Sequence, residues 1–223
     1  MQFKTELHCH TSPVSRCAHS DAAKLLSEYK AAGYTTVVLT NHMSMATFEN
    51  ISGSWKDKVR YYVNGYKQLK QLAGTEMNIL LGTEINLEGS TNDYLVYGVD
   101  EKFFLDNPQL IQMNLHSLSE LCRSKGLPLY QAHPFRKFMA IVRPEYLDGI
   151  EVNNGNIRHD SSNPIAELWS DRYNLKKISG SDYHDPADLT VNGLVTDIPI
   201  KTNDELISVL KKDNYKLLRS DLK

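Results

Sequence analysis

Imidazoles and carboxylates recur in this 223-residue sequence at the ends of short apolar runs, where they suit metal chemistry. The first run ends His8-Cys9-His10. Alternation along a strand puts both rings on one face and turns Cys9 into packing. Further on, His42 follows Leu39-Thr40, Glu84 follows Leu81-Gly82-Thr83, His133 follows Gln131-Ala132, and Asp182 with His184 follows Ser179-Gly180-Ser181. Any one of these alone reads as an ordinary hydrogen-bonded or solvated side chain. Together they set a ligand at every one of these strand ends in one register, which folding alone gives no reason to produce. Imidazole and carboxylate suit zinc, manganese or iron without distinguishing among them. One tetrahedral zinc would leave several ligands unused, so two or three divalent ions account better for the set. A cluster of that kind can hold a bridging hydroxide at neutral pH, neutralise a phosphate and stabilise a leaving oxygen.

For these residues to meet, the strands must run parallel with their carboxyl ends at one mouth, as in a (β/α) barrel. The periodicities supply that order. Residues 3–8 read as a strand, 21–32 as a helix ended by Gly33, 35–40 as a β-branched buried strand, and 56–73 as a helix ended by Gly74. Strands follow at 78–81 and 93–99, joined by a turn at Glu88-Gly89-Ser90, so this one pairing is expected to be antiparallel. A helix over 108–125, with Pro108 in its first turn and Cys122 in its core face, precedes strands at 128–131, 149–152 and 177–179. Helices at 164–173 and 203–212 and a strand at 215–218 complete the chain. No Pro-, Gly- or Ser-rich linker interrupts it, so residues 1–223 are expected to form one domain.

Composition narrows the setting. With 25 basic and 27 acidic residues the formal charge is −2, which calls for no nucleic-acid partner. No apolar run approaches the roughly 18 residues of a membrane helix, and Met1-Gln2-Phe3-Lys4 opens no signal region. Three cysteines of irregular spacing, Cys9, Cys17 and Cys122, argue against a disulfide framework and for a reducing compartment. A cytoplasmic protein without a membrane partner is expected.

His8-x-His10, Thr40-Asn41-His42, Gly82-Thr83-Glu84, Ala132-His133-Pro134 and Gly180-Ser181-Asp182-Tyr183-His184 occur in the order of the PHP (polymerase and histidinol phosphatase) family, which the sequence resembles over nearly its whole length. The resemblance implies a distorted, TIM-like (β/α)7 barrel holding up to three metals and hydrolysing phosphoesters. It implies that His8, His10, Glu84 and Asp182 surround one metal, that Glu84 bridges to a second bound by His133, and that His42 and His184 hold the third. Where many members place an Asp or His for the third metal this chain has Cys17, with His19 as a competitor. Where they place a second-metal His it has Asp93. Asn41 replaces the family's common Asp at a position that need not be a ligand.

Phosphate recognition needs cations at the mouth, and Arg136 and Arg158 are the candidates, with Arg143 further along. His159 is the candidate to orient substrate or donate a proton to the leaving group; His116, inside a helix pattern, reads as structural. The expected substrate is a phosphomonoester or small phosphodiester, with nucleic acid entering only as a nucleotide or short oligonucleotide. Two alternatives stand beside this reading. A metal-dependent amidohydrolase also begins with His-x-His and ends with a late Asp, but gives no reason for both Glu84 and His184. A noncatalytic metal-stabilised accessory domain is the other.

Overall fold

Strand β1 (Phe3–Cys9) is the seam from which the rest is laid out, and it is irregular for a reason visible in its own sequence. Its pairing with β2 (Tyr34–Leu39) shifts register between Glu6 and Cys9. There the buried Glu6 carboxylate takes the place of a strand partner, accepting from the backbone N–H groups of Leu7 (2.9 Å), His8 (2.8 Å) and Ser181 (3.0 Å). Burial pushes Glu6 up to about 7 against the pull of these hydrogen bonds.

In the computed structural model, which describes residues 2–219, the chain alternates strands with outer helices. After β1 come α1 (Ala22–Ala31), β2, β3 (His42–Met43), α2 (Met45–Phe48), α3 (Trp55–Ala73), β4 (Asn78–Asn86) and β5 (Asp93–Tyr97). Then follow α4 (Glu101–Asp106), α5 (Leu115–Lys125), β6 (Leu129–Gln131), β7 (Gly149–Asn154), α6 (Asn163–Tyr173), β8 (Lys176–Gly180), β9 (Gly193–Thr196), α7 (Asn203–Lys212) and β10 (Lys216–Leu218). The sheet runs β10-β9-β1-β2-β4-β5-β6-β7-β8, with β3 on β4. It nearly closes: the chain beyond β8 returns to β1 through Asp182 N–H to His8 O (2.8 Å) and His10 N–H to Tyr183 O (2.9 Å). The result is a mixed α/β, TIM-like barrel.

β5 pairs antiparallel with both β4 and β6, as the turn before it suggested. Its first residue therefore lies at the mouth, where the other strands end. β9 is also antiparallel to β1 and β10, and this strand is absent from the sequence expectation. The helix expected over 108–125 is corrected by the structure. α4 ends at Asp106, a single 3-10 turn covers Leu110–Gln112, and α5 starts only after Asn114, whose side chain caps the Ser117 N–H (2.9 Å). A side chain that accepts from the backbone makes a better helix start than Pro108.

α7 stops the barrel opposite the mouth, with Leu206 and Leu210 in the buried cluster that holds Leu7, Val38, Leu80, Leu95, Tyr97, Tyr130 and Ile178. Each such side chain contributes about 1.5–3 kcal/mol on burial. α3 serves the mouth more directly. It opens with a reciprocal Ser54–Asp57 cap and buries Val59, Tyr62, Val63 and Leu69. The Tyr62 hydroxyl then reaches Asn41 O (2.6 Å) and Thr83 Oγ1 (2.7 Å), pinning the residues just before His42 and Glu84. Gly65 keeps this helix close, since a Cβ there would meet Val14 at 3.0 Å and Asn41 at 3.3 Å.

Candidate metal centre

Glu84 stands in the middle of the mouth, fully buried and ringed by imidazoles. His8 Nε2 and His133 Nε2 lie 3.1 and 3.2 Å from its Oε1; His42 Nδ1 and His10 Nε2 lie 2.7 and 3.4 Å from its Oε2. Asp182 Oδ1 lies 3.4 Å from both His8 Nε2 and His10 Nε2 and 3.5 Å from His184 Nδ1. Three sets have ligand atoms within 4.8 Å of one another: His8, Glu84 and His133; His8, His10 and Asp182; and His10, His42 and His184.

The hydrogen bonds around the rings leave the inward nitrogens free. His8 Nδ1–H donates to Glu151 Oε1 (3.0 Å), and His184 Nδ1–H donates to Asp182 O (2.9 Å). Ser15 gives its hydroxyl proton to Asn41 Oδ1 (2.9 Å), and so accepts from His10 Nδ1–H (3.2 Å) and the His42 N–H (3.0 Å). The inward Nε2 atoms of His8 and His10 and both Glu84 oxygens are buried without a hydrogen-bond partner. Buried polar atoms left unpaired are costly, and a converging set of them with ligand chemistry fits a divalent cation. Glu84 and Asp182 stay ionised. Burial works against them, but His8 and His42 hold Glu84 well below the carboxylate range, and His8, His10 and Arg136 do the same for Asp182. His10 is pushed well below the usual imidazole value by burial and by the neighbouring His184 and His42, so its Nε2 lone pair is available.

Two residues of the cluster lie at positive φ, His133 at +28° and Asp182 at +54°. Such values are uncommon outside glycine and mark local backbone strain at the mouth.

Cys17 faces this cluster and His19 does not. Burial raises the Cys17 thiol, but His184 and His42 beside it outweigh that and bring it down to about 6. His19 is 73% exposed and turns to Asp185 (3.7 Å). Asp93 lies 3.9 Å from His133 Nε2 and is held by Asn86 Nδ2 (3.0 Å); burial, and then the Glu84 charge, lift it to about 6. The arginines are partly engaged. Arg136 Nη2 donates to Asp182 Oδ2 (2.7 Å) and Asn154 Oδ1 (2.9 Å), so it orients a carboxylate of the cluster. Arg158 Nη2 donates to the buried Asp188 (2.6 Å), whose same oxygen accepts from the His184 N–H (3.0 Å). His159 is exposed within the field of Arg136 and Arg158; Arg143 and His116 lie on the surface, His116 against Tyr146.

Glu151 is the residue that reading along the chain did not single out. Besides His8 it accepts from the His133 N–H (2.9 Å) and Asn154 Nδ2 (2.9 Å), so one carboxylate orients two imidazole-bearing segments. The available signal was a carboxylate within the apolar run Gly149-Ile150-Glu151-Val152. Replacement of Glu151 by Gln puts an N–H₂ against these donors, and metal affinity is expected to fall about 10- to 100-fold in a competition titration against a chromogenic chelator. Unchanged affinity would reduce Glu151 to a strand-packing residue.

The chain is similar in structure to several solved proteins. A two-domain protein from Bacteroides vulgatus containing a predicted PHP-like metal-dependent phosphoesterase superposes with a TM-score of 0.73 at 16% identity, over 100% of this chain and 66% of that one. The lesion-specific endonuclease PfuEndoQ from Pyrococcus furiosus gives a TM-score of 0.64 at 13% identity, over 97% and 58%. An amidohydrolase from Chromobacterium violaceum gives 0.55 at 14%, over 97% and 98%. No protein-family model and no curated protein matches the sequence. The fold is thus the PHP-type, TIM-like barrel. The chain spans under two thirds of the endonuclease and about two thirds of the Bacteroides protein.

Proposed function

We propose that the chain is a metal-dependent hydrolase that cleaves a phosphomonoester or small phosphodiester at the mouth of the barrel. The observation that carries this reading is the set of unpaired, buried imidazole and carboxylate atoms around Glu84. In it His8, His10, Glu84, His133, Asp182, His42 and His184 hold two or three divalent ions, with Cys17 beside the last two and Asp93 beside His133. The ions, when bound, supply Lewis acidity toward phosphate and make water acidic enough to react at neutral pH.

The protein's own groups then divide the remaining work. Glu84 and Asp182 stay anionic and oriented, Asp182 through Arg136. Both arginines spend Nη2 on buried acceptors, Arg136 on Asp182 and Asn154 and Arg158 on Asp188; Arg158, 37% exposed against 15% for Arg136, is the more accessible of the two for gripping the phosphate. His159 is held below the ordinary imidazole value by burial and then by Arg136, which favours orienting substrate over storing a proton at neutral pH. The free cysteines fit a reducing, cytoplasmic setting, and among the described residues no helix is long and apolar enough to cross a membrane.

The test is hydrolysis by the metal-reconstituted chain of a panel of phosphomonoesters, read as phosphate release, and of short oligonucleotides, read as release of shorter fragments, with amides alongside and His10→Ala as control. Metal-dependent release that the variant loses is expected. Turnover of amides alone would favour the amidohydrolase. Bound metal with no turnover of any compound, and stability lost on replacing His8, would favour the metal-stabilised accessory domain.

A further inference from the structure

The loops beside the centre carry exposed apolar side chains. Phe138, five residues beyond His133, is 77% exposed, with Ile141 at 63% on the same loop and Ile157 at 68% on the loop after β7. Isolated exposed apolar residues need no explanation, but these three sit on the loops that follow the adjacent parallel strands β6 and β7, which puts their apolar surface at the mouth. The Lys137 ammonium lies 4.8 Å from the Phe138 ring centroid.

This exposure does not come from a slack loop. Arg136 N–H closes a turn on His133 O (3.0 Å) and Met139 N–H another on Arg136 O (3.0 Å). Ala140 is then clamped from three directions, its N–H to Asn92 Oδ1 (2.7 Å) and its carbonyl accepting from Asn92 Nδ2 (3.0 Å) and Gln131 Nε2 (3.2 Å). Between these anchors Phe138 has φ +75°, a conformation that costs a bulky residue and holds its ring outward. A preorganised aromatic ring with one cation beside it, on the loop that follows His133, suits a flat ring carried near a phosphate.

We infer that Phe138, with Lys137 beside it and Ile141 and Ile157 flanking, stacks on the organic part of the phosphoester, so that substrates bearing a flat aromatic ring are preferred over sugar or alkyl phosphates. This rests on the phosphoesterase reading and names its substrate class. Two matched pairs test it. 5′-AMP and ribose 5-phosphate differ only by the base, and phosphotyrosine and phosphoserine essentially by the ring. In at least one pair the parent should favour the ring-bearing member about tenfold in KM; Phe138→Ala should erase that preference, Phe138→Trp should keep it, and the ringless member should shift less than about twofold. The selective pair identifies the ring as nucleobase or phenol. Equal KM within both pairs, or a Phe138→Ala loss shared by both members, overturns the inference. Calorimetric binding of the same four compounds separates the two readings: Phe138-dependent binding without hydrolysis would sink the phosphoesterase and leave the ring site standing, and no binding of any of them would sink both.

Discussion

Glu84→Gln is expected to lower kcat/KM by about three orders of magnitude, the equivalent of roughly 4 kcal/mol. Glutamine preserves the shape of the side chain, so the packing of β4 against β2 and β5 is retained. What is lost is the negative charge that four imidazoles face at 2.7–3.4 Å. Because His8 and His133 approach one oxygen while His42 and His10 approach the other, one substitution disturbs all of the ligand sets. The measurement combines elemental analysis with steady-state kinetics. At least one metal equivalent should disappear along with activity, while the circular dichroism of the variant matches the parent. A variant with full metal content and full turnover would remove Glu84 from the centre.

Stripping the metals should lower the melting temperature by on the order of 10 °C. Ions held at about a thousandfold above their dissociation constant stabilise the native state by about 4 kcal/mol, and a chain of this size moves roughly 2–4 °C per kcal/mol. The candidate ligands lie on β1, β3 and β4 and on the turns after β1, β6 and β8, so ions held there would join strand ends that the sheet alone leaves crowded with like and unlike charge. The effect should grow with pH. In the metal-free protein His8 and His42 are held above the ordinary 6.5, against burial, by Glu151, Glu84 and Asp182 around His8 and by Glu84 and Cys17 at His42. Protonated imidazoles then partly substitute for the ions as counter-charges. That stabilisation is complete below pH 6.5 and is lost as pH rises through the folded-state values, whereas metal binding, which requires deprotonated ligands, strengthens. Melting curves with and without chelator at pH 6 and pH 8.5 check this. Equal shifts at both, or none at either, would contradict it.

Much of the barrel was legible because its signals are local. The β-branched run of β2, the inward stripe and terminal glycine of α3, and the turn before β5 each depend on residues within a few positions of one another. The expected antiparallel pairing of β4 and β5 followed from such a turn. β9 lay outside that reach. It is four residues long, Gly193-Leu194-Val195-Thr196, and is held by β1 and β10, which are remote in sequence. The missed break before α5 has another origin: an apolar periodicity that runs on through Ile111, Leu115, Leu118 and Cys122 masked the local 3-10 turn and the Asn114 cap.

For the site, the sequence by itself determined which candidate ligands are available, His8 and His10, His42, Glu84, His133, Asp182 and His184, and expected each at a strand end, whereas the structure extends β4 to Asn86 and so puts Glu84 inside its strand. The sequence also marked Cys17 and Asp93 as departures. Only the tertiary structure decided how these side chains face one another. Cys17 turns to His42 and His184 while His19 turns out, Arg136 grips Asp182, and Glu151 reaches across 143 positions to His8. The reason is physical. Strand periodicity is written by neighbouring residues, whereas the proton on an imidazole and the partner of a guanidinium are chosen by whatever acceptor the closed barrel brings within 3 Å.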